Sequence, residues 1–258
     1  MPRAYQSLVV TPGEGTLTIA LHNPARKNAI GPRMVNELLY ALQDAQADAG
    51  VRSIVLTGSG DAFCAGGDFA QMTGGGDDLP HKGDYADLLL SITRAEKPIV
   101  ARVNGAAMGG GLGIVAASHF AIAADSAKLG TPEINVGLFP MMIMAVLARV
   151  VPKRRLLEMM LFGEKLSATD ALAAGLVGKV VPLAELDAAV SAITTAIAGK
   201  SLSTIKLGLR AYADQADLSL EAALPMLRER LAECLATDDA REGLMAFLEK
   251  RAPRWTGK

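Results

Sequence analysis

Short apolar runs bounded by glycine, proline or polar residues recur along the chain as far as Pro182, with stretches of helical periodicity between them. Ser53-Ile54-Val55-Leu56-Thr57 stops at Gly58, and the same pattern returns at 98–103, 120–124 and 177–181. Such runs are too short for helices and lack the alternation of half-exposed strands, so they read as strands buried on both faces. Between them, Met34, Val35, Leu38, Leu39, Leu42 and Ala45 follow Gly31-Pro32, which supplies a cap and a pre-set first turn, and shorter helical patterns cover 114–118, 143–150 and 169–174. Buried strands alternating with helices pair in parallel through helical crossovers, which makes the fold class α/β. Residues 7–22 add a hairpin that turns at Pro12-Gly13-Glu14-Gly15.

Beyond Pro182 only helical periodicity remains, with Leu220, Leu224, Leu227 and Leu231 on one face. The chain therefore divides into a core, residues 1–185, and a helical region, residues 186–258. Pattern alone leaves open whether that region covers its own sheet or packs on a neighbour. Residues 73–84, rich in Gly and Asp, are the stretch whose composition predicts a mobile loop.

The 26 basic and 27 acidic side chains leave a net charge of -1, so there is no electrostatic footprint for nucleic acid and no polybasic membrane patch. Cys64 and Cys234 are too few for a disulfide framework and fit no metal-ligand spacing. No signal-peptide pattern and no apolar run of about 18 residues is present, so a cytoplasmic protein, or one of an organelle matrix whose import segment has been removed, is expected, without nucleic-acid or membrane partners. His22, His81 and His119 stand apart from one another, and neither a phosphate loop nor a Gly-x-Ser-x-Gly elbow occurs. Cys64, in Ala-Phe-Cys-Ala-Gly-Gly, reads as a core thiol.

Two glycine-rich turns remain, each after a strand: Gly60 to Asp68, and Asn104 to Gly113. Glycine lets a ligand approach the main chain closely, and the second turn opens a helix whose first N–H groups lack partners. One N–H from each turn could hold a single carbonyl oxygen, as an oxyanion hole does. Glycine clusters also serve tight turns and helix–sheet packing. Gly111-Leu112-Gly113-Ile114-Val115-Ala116 formally matches a dinucleotide fingerprint, with Glu133 about 20 residues on, where a ribose-binding acid would be sought. The next strand follows too soon for the usual crossover helix, which argues against that reading.

The motifs, taken in order, resemble the enoyl-CoA hydratase/isomerase family, also called the crotonase family. They are Asn23-Pro24-Ala25-Arg26-Lys27-Asn28-Ala29, Ala62 to Asp68, Lys97 to Gly105 running into Gly109-Gly110-Gly111, Thr131 to Leu138, Ala168-Thr169-Asp170-Ala171 and Gly175-Leu176-Val177. The C-terminal stretches 238–243 and 246–251 are similar too. The resemblance implies a spiral of ββα repeats, a C-terminal helical region used in trimer contacts, and a homotrimer or homohexamer. It also implies an acyl-CoA thioester as substrate and no cofactor, coenzyme A being part of the substrate. The two oxyanion donors map to Gly67 and Gly110. Ala65, Asp68 and Phe69 map near the nucleotide of the coenzyme, and Lys250 maps near the coenzyme phosphates of a neighbouring subunit.

Hydratases of this family carry two glutamates, one for water and one for the proton at the α-carbon. Glu133 matches the second, whereas Gly113 stands where the first is expected. One carboxylate suits a double-bond isomerase, which moves a proton from C2 to C4, so Glu133 is the expected proton shuttle. The alternatives are a hydratase that uses Glu133 and a water at the Gly113 position, or a catalytically weak acyl-CoA-binding homologue. On its own, Glu133 reads first as a capping carboxylate, and only its place within the motif reverses that. Met141, in Phe139-Pro140-Met141-Met142-Ile143-Met144, either packs the core or narrows the acyl pocket.

Overall fold

The protein is described from a computed structural model, which covers residues 3–68 and 79–257. In chain order the elements are β1 (Leu8–Pro12), β2 (Thr16–Leu21), α1 (Pro32–Ala47), β3 (Ser53–Gly58), β4 (Ala62–Cys64), α2 (Tyr85–Thr93), β5 (Ile99–Val103), β6 (Ala106–Met108), α3 (Gly110–Ala117), β7 (Phe120–Ala124) and β8 (Lys128–Gly130). They continue with α4 (Met141–Leu147), α5 (Lys153–Phe162), β9 (Lys165–Ser167), α6 (Ala168–Ala173) and β10 (Lys179–Val181). The helices α7 (Leu186–Ala198), α8 (Leu202–Gln215), α9 (Leu220–Leu235) and α10 (Asp238–Leu248) complete the chain.

The expected buried strands form a 6-stranded sheet in the order β1-β2-β3-β5-β7-β10. It is parallel except for the β1–β2 hairpin. Its two faces bury separate sets of side chains, as a period of two requires. Ile54, Leu56, Ala101 and Val103 join the main core with α1 and α3, while Val55, Val100 and Ile122 pack with Leu186, Ala189 and Val190 of α7. Helix α1 ends against Lys97, whose buried ammonium donates to the carbonyls of Ala45 at 2.7 Å and Asp48 at 2.5 Å. That contact satisfies acceptors a helix end leaves open.

A second, 4-stranded sheet, in the order β4-β6-β8-β9, holds the second strands of the ββα repeats that the resemblance implies, and no apolar run in the sequence marks it. Its members are three residues long each, too short to leave a hydrophobic period in the sequence. Helices α2 and α5 were not expected, and β10 begins at Lys179 rather than at Val177. Of the stretch 73–84, residues 73–78 lie outside the described residues. The region after Pro182 is helical, as expected. No described helix is long and apolar enough to cross a membrane by itself.

Candidate active site

The second sheet brings the two glycine turns together. Strands β4 and β6 pair in parallel, Ala62 with Ala106 and Cys64 with Ala107, so the turns after them leave the same edge side by side. The first turn is pinned by the Asn23–Ala29 segment: Ala65 N donates to Lys27 O at 2.9 Å, Ile30 N to Gly66 O at 2.8 Å, and Asp68 N to Ile30 O at 2.9 Å. Lys27 and Asn28 sit at positive φ, and buried Asn28 donates through Nδ2 to Ser59 O at 2.8 Å and Ala62 O at 2.9 Å. Asn104 does the same work between the two turns. Its Nδ2 donates to Gly58 O at 3.0 Å and Gly60 O at 2.9 Å, and its Oδ1 accepts from Gly58 N at 3.2 Å.

These bonds use the amides around Gly67 and leave its own N–H without a protein acceptor among the described residues. The amide of Gly110 is in the same state, because Gly110 is the first residue of α3 and a helix gives its first N–H groups no partner. The preceding residue, Gly109, donates to Gly130 O at 3.0 Å and has φ 49° and ψ -120°.

Glu133 approaches from the 3-10 helix Pro132–Val136 that follows β8. Its Oε1 stands 2.7 Å from the position a Gly109 Cβ would take, and Gly66 Cα is 3.6 Å from that same point. Its Oε2 is buried with no hydrogen-bond partner. Burial raises the Glu133 pKa above the ordinary 4.5, opposed only by a bond to its own backbone. A half-buried carboxyl with an unused oxygen beside two unpartnered amides is equipped to take and return a proton next to a stabilised anion.

The space beside Gly113 is filled by two side chains. A Cβ added there would overlap the hydroxyl of Tyr85 and Cγ2 of Ile143. The Tyr85 hydroxyl donates to Gly110 O, and its ring atoms Cε2 and Cζ lie 3.5 Å from the place of a Gly110 Cβ. Burial first, then the neighbouring Cys64 and Glu133, hold the Tyr85 phenol well above its usual pKa. The sequence reading passed over Tyr85, yet a signal was present. Asp84 and Asp87 form a capping box that starts α2 at Tyr85, with Asp84 Oδ1 accepting from Ala86 N at 2.8 Å.

The other expected residues divide. Ala65 lies exposed on the first turn, and Asp68 is 4% exposed and paired with Arg26 at 2.9 Å. Phe69 lies outside the described residues. Met141 is 65% exposed at the start of α4, and it is Ile143, not Met141, that closes against Gly113. The reason is helical phase: Ile143 is a buried position of α4 and Met141 is not. Lys250 is exposed just past α10, with φ 55°. Cys64 is fully buried, with its thiol pushed up to about 11 by burial, which fits a core thiol. An apolar groove of about 670 Å³, lined by Phe120, Ile193, Ile197, Ile205 and Leu209 among others, shares no lining residue with this site.

The comparisons with known proteins place the chain in one family. The family model described as enoyl-CoA hydratase/isomerase matches residues 12–258. A probable enoyl-CoA hydratase of Bacillus subtilis is 38% identical over 98% of this chain and 98% of its own length. The human enoyl-CoA hydratase domain-containing protein 3, mitochondrial, is 34% identical over 94% of this chain and 81% of its own. The crystal structure of an enoyl-CoA hydratase from Mycobacterium smegmatis superposes with a TM-score of 0.91 at 33% identity, covering 97% of this chain and 99% of that one. With the strand pairing, the paired glycine turns and a match over nearly its whole length, the chain belongs to the enoyl-CoA hydratase/isomerase family and has the crotonase fold.

Proposed function

We propose that this family member shifts the double bond of a 3-enoyl-CoA to the 2-position, with Glu133 as the proton shuttle. The ionised carboxylate takes the proton from C2. The C2–H electron pair moves into a dienolate whose oxygen is held by the N–H groups of Gly67 and Gly110. Glu133 then returns the proton to C4, leaving the double bond between C2 and C3, and no atom is gained or lost. The observation that carries this reading is the filling of the Gly113 space by Tyr85 and Ile143, with Glu133 as the carboxyl beside the glycine turns. Ala65 and Asp68 are proposed to lie along the coenzyme, with no cofactor besides it.

Hydration is the second reading, and the names of the relatives favour it. Purified protein given 3-enoyl-CoA and 2-enoyl-CoA separates the two, following thioester conjugation by absorbance and products by mass. Isomerisation lost in Glu133→Gln by about 10²-fold or more supports the shuttle. A robust product heavier by one water would sink the single-carboxylate reading, and binding without turnover would favour a catalytically weak homologue.

The reading includes a homotrimer or homohexamer. It is supported by apolar side chains that the C-terminal helices leave in solvent, Leu220, Leu224, Leu231, Leu244, Leu248 and the 81% exposed Phe247 among them. In such an assembly Lys250 would reach the coenzyme of a neighbour.

A further inference from the structure

Tyr85 is not among the glycines and carboxyls that the fold presents at this site, yet it touches the turn that carries Gly110. Its ring packs against Gly110 and against the main core, and its hydroxyl donates to Gly110 O. Two consequences follow from the chemistry of a phenol. It has one proton to give, and that proton is already committed to the Gly110 carbonyl. With a pKa held well above the ordinary 10.0, it stays neutral and cannot serve as a base near neutral pH. Water addition on this side of the pocket needs room for the water and a group that accepts its proton. Tyr85 and Ile143 occupy the place beside Gly113 where such a water would stand, so Glu133, the carboxylate left to accept its proton, meets no water there.

Resting on the isomerase reading, we propose that Tyr85 is a specificity-determining and positioning residue: with Ile143 it bars water from the Gly113 side of the acyl chain, and its bond to Gly110 O braces the turn whose N–H meets the thioester oxygen. The same side chain thereby excludes hydration and supports enolate formation. It acts through volume and one hydrogen bond, not by transferring a proton.

The test compares wild type, Tyr85→Ala and Tyr85→Phe on both enoyl-CoA isomers, with circular dichroism to confirm folding. Tyr85→Ala opens the space, and the ratio of hydration to isomerisation is expected to rise at least about tenfold. Tyr85→Phe keeps the volume and loses the brace. Its kcat is expected to fall about tenfold at nearly unchanged KM, with the ratio left at the wild-type value. A packing role alone would move neither the ratio nor the kcat–KM split in this pattern. If wild type isomerises, an unmoved ratio in Tyr85→Ala overturns the barrier to water, and wild-type kcat in Tyr85→Phe overturns the brace. Should Tyr85→Ala fail to fold, Ile143→Ala takes its place in the ratio measurement. A wild-type enzyme that hydrates and does not isomerise overturns the isomerase reading, and this proposal with it.

Discussion

Oε1 of Glu133 stands 2.7 Å from the point at which a side chain on Gly109 would begin. Gly109 also holds φ 49° and ψ -120°, a conformation that L side chains avoid. The carboxyl and the turn leading into α3 therefore meet through the main chain, and hydrogen is the only substituent position 109 accepts without a shift. Gly109→Ala is expected to cost about 1–3 kcal/mol of stability and to displace Glu133, lowering kcat tenfold or more, on the order expected for a misplaced catalytic group. Thermal melts and steady-state kinetics check both. Wild-type kcat in that variant would show that the carboxyl does not need its present place.

The pH dependence has a definite sign. Glu133 is raised above 4.5 by burial, and only its ionised form can take a proton. The acid limb of kcat/KM for isomerisation is therefore expected above the range of an ordinary glutamate, with activity gained as pH rises through it. Stability runs the other way. An acid whose folded pKa is raised holds its proton more tightly in the folded state, so it costs stability once pH exceeds the ordinary value. Glu133→Gln is expected to melt higher than wild type at pH 7 while losing turnover, and the gap should close as pH falls. Equal melting temperatures at pH 7 would contradict the burial argument.

Gly110→Pro removes one N–H at a position where a helix tolerates proline, its first residue. The expected outcome is a folded protein whose kcat drops about 10²–10³-fold, the usual loss for one oxyanion donor. Unchanged turnover would mean that the Gly110 amide does not face the reacting oxygen.

At the far end of the chain, fully buried Asp239 ties the C-terminal segment to α8. Its carboxylate accepts from Ser201 Oγ at 2.6 Å, Ser203 Oγ at 3.1 Å and Thr256 N at 2.6 Å. Burial opposes the charge, but the bonds from Ser201, Thr256 and Ser203 outweigh it and lower the pKa from 3.8 to about 2. That contribution is complete above the ordinary carboxyl value and is lost as pH falls towards 2. Asp239→Ala strands these donors and is expected to cost about 1–3 kcal/mol at neutral pH. In chemical denaturation the loss should shrink in acid, where wild type loses the same bonds.

The large sheet was legible because Ile54 to Leu56 and Ile99 to Ala101 are continuous apolar runs, and burial on both faces imposes that pattern. Glu133, Gly67 and Gly110 were legible as parts of motifs. The sheet that brings them together was not, since strands such as Ala62–Cys64 and Ala106–Met108 are held by pairing rather than by their own periodicity. Tyr85 escaped for another reason. Its meeting with Gly110 and Gly113 is a tertiary contact, and only its helix cap was written locally. Met141 was named ahead of Ile143 because every residue of α4 is apolar, and a helix of uniform polarity leaves no phase to read.

The parallel pairing of β4 and β6 has an evolutionary consequence. The groups it aligns are peptide amides, which every residue except proline supplies, so ordinary substitution changes the side chains around them without deleting them. A lineage built on this pairing can exchange the occupants of position 133, or of positions 85, 113 and 143 in concert, since any side chain at 113 meets the other two, and explore new chemistry there while the aligned amides are inherited intact.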